Sequence, residues 1–120
     1  MMIGHPVRVA LYARVSTRDK DQDPELQLEP LRAYVAARGW TAAEYVDQAP
    51  AGDLARRTAW ARLLADTARR RVDQVLVWKL DPAFRSTLHA LATLRDFEHA
   101  DVGFASLTQP DLDTGRTTDA

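Results

Sequence analysis

The stretch VRVALYARVST, Val7 to Thr17, is a short apolar run that stops abruptly in polar residues. Its length and apolar content predict a buried strand. Side chains alternate along a strand, so Val7, Val9, Leu11, Ala13 and Val15 fall on one face. Arg8, Ala10, Tyr12, Arg14 and Ser16 fall on the other. Arg14 and Ser16 therefore share a face at the carboxyl end of this strand. A hydroxyl beside a permanent cation suits a nucleophile next to a bound anion. A Ser/Thr turn beside a solvated arginine accounts for the same residues, so the choice between the two depends on what else reaches that end of the strand.

Working outward, a polar connection (Arg18 to Asp23) and Pro24 lead into a helix over Glu25 to Arg38, with Leu31, Tyr34 and Val35 at helical spacing. Gly39 sits where a C-terminal glycine belongs. Pro30 inside the pattern predicts a kink, or a helix that restarts there. Thr41 to Val46 reads as a second strand ending at Asp47, and Gln48 to Leu54 as a loop. Arg57 to Arg71 is amphipathic through Trp60, Leu63, Leu64 and Ala68, and its closing Arg69-Arg70-Arg71 reads as a charge complement to the helix C-terminus. Val72 to Leu80 is a third strand, Thr87 to Phe97 a third helix, and Gly103 to Leu107 a fourth strand. Thr108 to Ala120 has little apolar pattern and reads as a tail.

Alternating strands and helices predict an α/β fold of three layers, with helices on both faces of a mainly parallel sheet. In such sheets ligands bind at the carboxyl ends of the strands, where the strand order reverses. With order 2-1-3-4 the crevice lies between the first and third strands, with Ser16 on one side and Asp81 and Arg85 on the other. Arg57 opens the helix after the second strand and belongs to the same edge.

Composition narrows the chemistry. At 120 residues the chain suits one domain, and a formal charge of −1 supplies no general basic field. Any anion site is therefore local. The absence of cysteine removes disulfides, thiolate metal sites and thiol nucleophiles. His5, His89 and His99 have no ligand spacing, so no metal is expected. Neither a signal peptide nor a membrane span is visible, which makes the cytoplasm the expected location. The turn Ser16-Thr17-Arg18-Asp19 lacks the glycines of a nucleotide-binding loop. Arginines suit a metal-free phosphate site because the planar fork contacts two oxygens and stays ionised. Asp81 fits two compatible roles, a helix cap followed by Pro82 and an acid or arginine-orienting group in the crevice.

YARVST at Tyr12 to Thr17, Gln27, Asp47, the approach to Arg57, and VWKLDPAFRS at Val77 to Ser86 together resemble the catalytic domain of the serine recombinases, the resolvase/invertase family. The resemblance covers nearly the whole chain. It implies that Ser16 attacks a DNA phosphate and forms a transient 5′-phosphoserine link. Arg14, Arg57 and Arg85 match the phosphate-contacting arginines and Asp81 the acidic partner, while Gln27 and Asp47 match positions near the substrate. It further implies a fifth, antiparallel strand, no cofactor, DNA as partner and a homo-oligomer.

Two departures qualify those expectations. Pro82 stands where the family carries an arginine after Leu-Asp, and losing one such donor costs on the order of 10²–10³ in rate. The chain is also expected to stop before the family's long dimer helix and DNA-binding region, giving a catalytic domain over 1–107 and a tail over 108–120. An impaired recombinase domain and a non-catalytic interaction protein of the same fold are the two readings this leaves.

Overall fold

The computed structural model describes residues 7–15, 23–48, 57–78 and 88–108. Four strands, β1 (Arg8–Val15), β2 (Thr41–Gln48), β3 (Gln74–Val77) and β4 (Gly103–Ser106), form one sheet in the order β2-β1-β3-β4. All three pairings are parallel. Among the described residues three helices lie between them in sequence: α1 (Glu25–Ala37), α2 (Thr58–Ala68) and α3 (Leu88–His99). The fold is the expected α/β arrangement with the expected strand order. The expected fifth strand and the tail from 109 onward lie outside the described residues.

The alternation in β1 separates two cores. Val9, Leu11 and Ala13 pack with Leu28, Leu31 and Val35 of α1 and with Leu76 and Ala105. Ala10 and Tyr12 pack on the opposite face with Trp60 and Leu63 of α2, Phe97 of α3, and Val75, Val77 and Phe104. Right-handed crossovers explain the division. The path from β1 to β2 runs one way across the sheet with α1 on one face. The paths to β3 and β4 run the other way, so α2 and α3 lie on the opposite face. An aromatic series crosses that second core. Tyr12 meets Trp60 edge-on at 5.0 Å, Trp60 meets Phe97 at 6.4 Å, and Phe97 stacks on Phe104 at 6.3 Å. Each such pair adds roughly 0.5–1.5 kcal/mol beyond its burial.

Pro30 does not restart α1; it lies inside a helix that is continuous from Glu25 to Ala37. The carbonyl that loses its helical donor is that of Leu26, in the first turn, where the side chain is 70% exposed and water is at hand. The start of α1 is held by Asp23, whose Oδ1 accepts the Glu25 N–H at 2.9 Å, with Pro24 completing the entry.

The three helices end alike. Gly39, Arg70 and Asp101 each take a left-handed backbone, with φ of +71°, +59° and +61°. The following N–H then reaches back to a carbonyl in the last turn: Trp40 to Val35, Arg71 to Asp66 and Val102 to Phe97. This geometry ends α2 at Ala68, earlier than the amphipathic pattern predicts, and leaves Arg69 to Arg71 beyond the helix. It also delays β3, which begins at Gln74 rather than Val72. Asp73 has turned to hold Arg8, accepting its backbone N–H at 2.8 Å and its Nε at 3.1 Å.

Candidate active site

The carboxyl ends of β1 and β2 carry the site. Arg14 and Asp47 are partners in the parallel register and so point to the same face, the one covered by α2. Asp47 is 4% exposed and would be costly as a bare buried carboxylate. Three donors compensate. The Tyr12 hydroxyl donates to Oδ2 at 2.8 Å, the Trp60 N–H donates to Oδ2 at 2.9 Å, and the Ala59 N–H donates to Oδ1 at 2.9 Å. The last two belong to the first turn of α2, whose unpaired N–H groups and dipole favour an anion. Asp47 thus caps α2 from a strand ten residues upstream.

Arg57 immediately precedes that turn; its carbonyl accepts the Ala61 N–H at 3.1 Å. The side chain is buried, 3% exposed, and its Nε donates to the Tyr12 hydroxyl at 3.1 Å. The guanidinium carbon lies 5.5 Å from the centroids of both Tyr12 and Trp60, within cation–π range. The Tyr12 hydroxyl therefore accepts from Arg57 and donates to Asp47. Burial pushes its phenol well above the ordinary value, against the opposing pull of the Arg57 charge, so it remains protonated and keeps both bonds.

Gln27 approaches from the other side of the sheet. It lies in the first turn and a half of α1, and its Nε2 donates to the Arg14 carbonyl at 2.9 Å. This bond ties α1 to the end of β1 at the residue whose side chain faces the site. Arg14, Gln27, Asp47 and Arg57 are thus gathered at one sheet edge. Ser16, Asp81 and Arg85 lie outside the described residues. Sequence reasoning misses Tyr12 as a site residue, although in the strand alternation it shares a face with Arg14 and Ser16. Trp60 read only as core.

The start of α2 is already taken by Asp47, so at this edge it is the guanidinium groups of Arg14 and Arg57 that can meet an oxyanion. No helix among the described residues is long and apolar enough to cross a membrane.

Comparison with solved structures returns the same architecture. The N-terminal catalytic domain of TP901-1 integrase is 31% identical over 86% of this chain and 78% of its own, with a TM-score of 0.66. The C-terminal catalytic domain of ISC1926 TnpA, described as an IS607-like serine recombinase, is 27% identical over 84% of this chain and 67% of its own, with a TM-score of 0.71. A resolvase family site-specific recombinase from Streptococcus pneumoniae shares the fold at 23% identity over 93% of this chain and 78% of its own, TM-score 0.75. No curated protein matches the sequence. The sequence matches the resolvase N-terminal domain over residues 9–120, from the second residue of β1 through every element described. With fold and sequence in agreement, the chain belongs to the resolvase N-terminal domain family.

Proposed function

We propose that the chain is a catalytic domain of a site-specific DNA recombinase, cleaving and rejoining strands through a 5′-phosphoserine. In this reading the Ser16 oxygen bonds to the scissile phosphorus, the bond to the 3′ oxygen breaks, and the proton leaves with the 3′-hydroxyl. Arg14, Arg57 and Arg85 neutralise the phosphate oxygens, and Asp81 orients an arginine or assists proton transfer. Gln27 serves the substrate pocket by holding the Arg14 carbonyl, and Asp47 by holding the start of α2. The phosphodiester energy is conserved in the serine link, so rejoining needs no nucleotide. DNA is the partner, copies of the chain associate on it, and the reaction belongs in the cytoplasm.

The observation that carries this reading is the delivery of Arg57 to Tyr12, on the same strand face as Arg14 and four residues before Ser16. Pro82 in place of an arginine makes the reaction slow, and it favours a second reading, an interaction protein that pairs with an active relative without cutting. Incubation with a nicked suicide DNA decides between them. A covalent adduct is expected on the peptide containing Ser16, absent in Ser16→Ala and increased on the order of 10²–10³ in Pro82→Arg. No adduct from either the native chain or Pro82→Arg would leave the non-catalytic reading.

A further inference from the structure

We propose that Tyr12 is a positioning residue for Arg57, a role that rests on the recombinase reading above: its hydroxyl, interposed between Asp47 and Arg57, presents the guanidinium in a single orientation. The arginine has five donors, and the shape of the group is fixed once its inner nitrogen is fixed. Here Nε is held by the Tyr12 hydroxyl at 3.1 Å, while the plane lies among the Tyr12 and Trp60 rings.

The interposed hydroxyl also answers a chemical difficulty. A buried carboxylate close to a buried arginine tends to take the fork bidentately, which would consume the nitrogens that a phosphate needs. Among the described residues Asp47 instead directs its oxygens to Tyr12, Ala59 and Trp60. The tyrosine accepts one N–H from the arginine and donates its own proton to the carboxylate. Asp47 thereby holds the tyrosine, and the tyrosine holds the arginine. Phenylalanine at position 12 would keep the ring, its packing on Trp60 and the core volume, and would lose only this relay.

The relay is read directly from the Arg57 Nε–H in protein labelled with ¹⁵N-arginine, its resonance assigned by its loss in Arg57→Lys. In the native chain this proton is expected to exchange with solvent at least about tenfold more slowly than those of exposed arginines such as Arg62. In Tyr12→Phe its protection is expected to vanish while the amide protection of α2 persists. Unchanged Nε–H protection in Tyr12→Phe would overturn the proposal. Should Tyr12→Phe fail to fold, Asp47→Asn decides. It retains the hydroxyl, so Nε–H protection is expected to persist within a few-fold, and its full loss would assign the arginine to Asp47 instead.

On nicked DNA, Tyr12→Phe is expected to lower the rate of adduct formation by on the order of 10–10²-fold with DNA affinity unchanged. A loss of affinity at unchanged rate would contradict positioning. Absence of an adduct in both the native chain and Pro82→Arg counts against the recombinase reading, and the Nε–H measurement then still decides the role of Tyr12.

Discussion

Asp73 holds Arg8 by both its side chain and its main chain: Oδ2 accepts the Arg8 backbone N–H at 2.8 Å and Nε at 3.1 Å, while Oδ1 accepts Nη2 at 3.2 Å. In return the Arg8 carbonyl accepts the Asp73 N–H at 2.7 Å. The same arginine donates to the carbonyl of Arg70, so one side chain joins the start of β1 to the connection between α2 and β3.

Asp73→Ala is accordingly expected to destabilise the fold by about 1–2 kcal/mol, discounted from a fully buried pair because the Arg8 side chain is 38% exposed. Asp73→Asn, which keeps an acceptor for the backbone N–H, should cost less. Urea midpoints with unchanged slope would show both, and added salt should narrow the gap between Asp73→Asn and the native chain.

Gln74 is 1% exposed, and neither its amide oxygen nor its amide nitrogen has a hydrogen-bond partner among the described residues. A buried amide left in that state costs roughly 1–3 kcal/mol. Gln74→Met keeps the length of the side chain without the polar atoms. It is expected to raise stability by about 1 kcal/mol in chemical denaturation.

The left-handed residues ending the helices predict opposite outcomes for two substitutions. Arg70→Gly should stabilise by up to about 1 kcal/mol, because the Cβ penalty at φ +59° disappears while the carbonyl that serves Arg8 remains. Gly39→Ala should destabilise by a similar ~1 kcal/mol at φ +71°, although a Cβ there would meet no other atom. Thermal melts of the two variants beside the native chain would check the opposite signs.

Alkaline pH provides a further test. Burial, with the hydroxyl donated to Asp66 at 2.6 Å, pushes the Tyr45 phenol up to about 12. In the unfolded chain a tyrosine ionises near pH ~10, so above that value the unfolded state loses its proton first. The contribution is fully present below pH ~10 and is lost as pH rises toward 12. Stability measured from pH 8 to 11.5 should therefore fall, and fall less steeply in Tyr45→Phe.

The faces of β1 are legible in the sequence because side chains alternate along a strand, and the α/β class because strands and helices alternate, while the strand order is matched by the family resemblance. Gly39 announces the end of α1. Arg70 and Asp101 perform the same turn without glycine, each followed by an N–H that returns to the last helical turn, and no residue type advertises them. Arg57 is legible from its place at the opening of a helix after the second strand, and Asp47 and Gln27 through the family resemblance, but not the hydroxyl between Arg57 and Asp47, because a tyrosine in an apolar strand reads first as core. Pro30 misleads for the opposite reason: its local cost falls on a carbonyl that solvent can serve.

The cap that Asp47 places on α2 joins the end of β2 directly to the first turn of that helix. Arg57 is therefore mounted on the sheet and not on the segment that leads to it. One carboxylate thus sets both the height of the helix on the sheet and, through the Tyr12 hydroxyl, the place of the cation beside it, so a shift of β2 carries Arg57 with it.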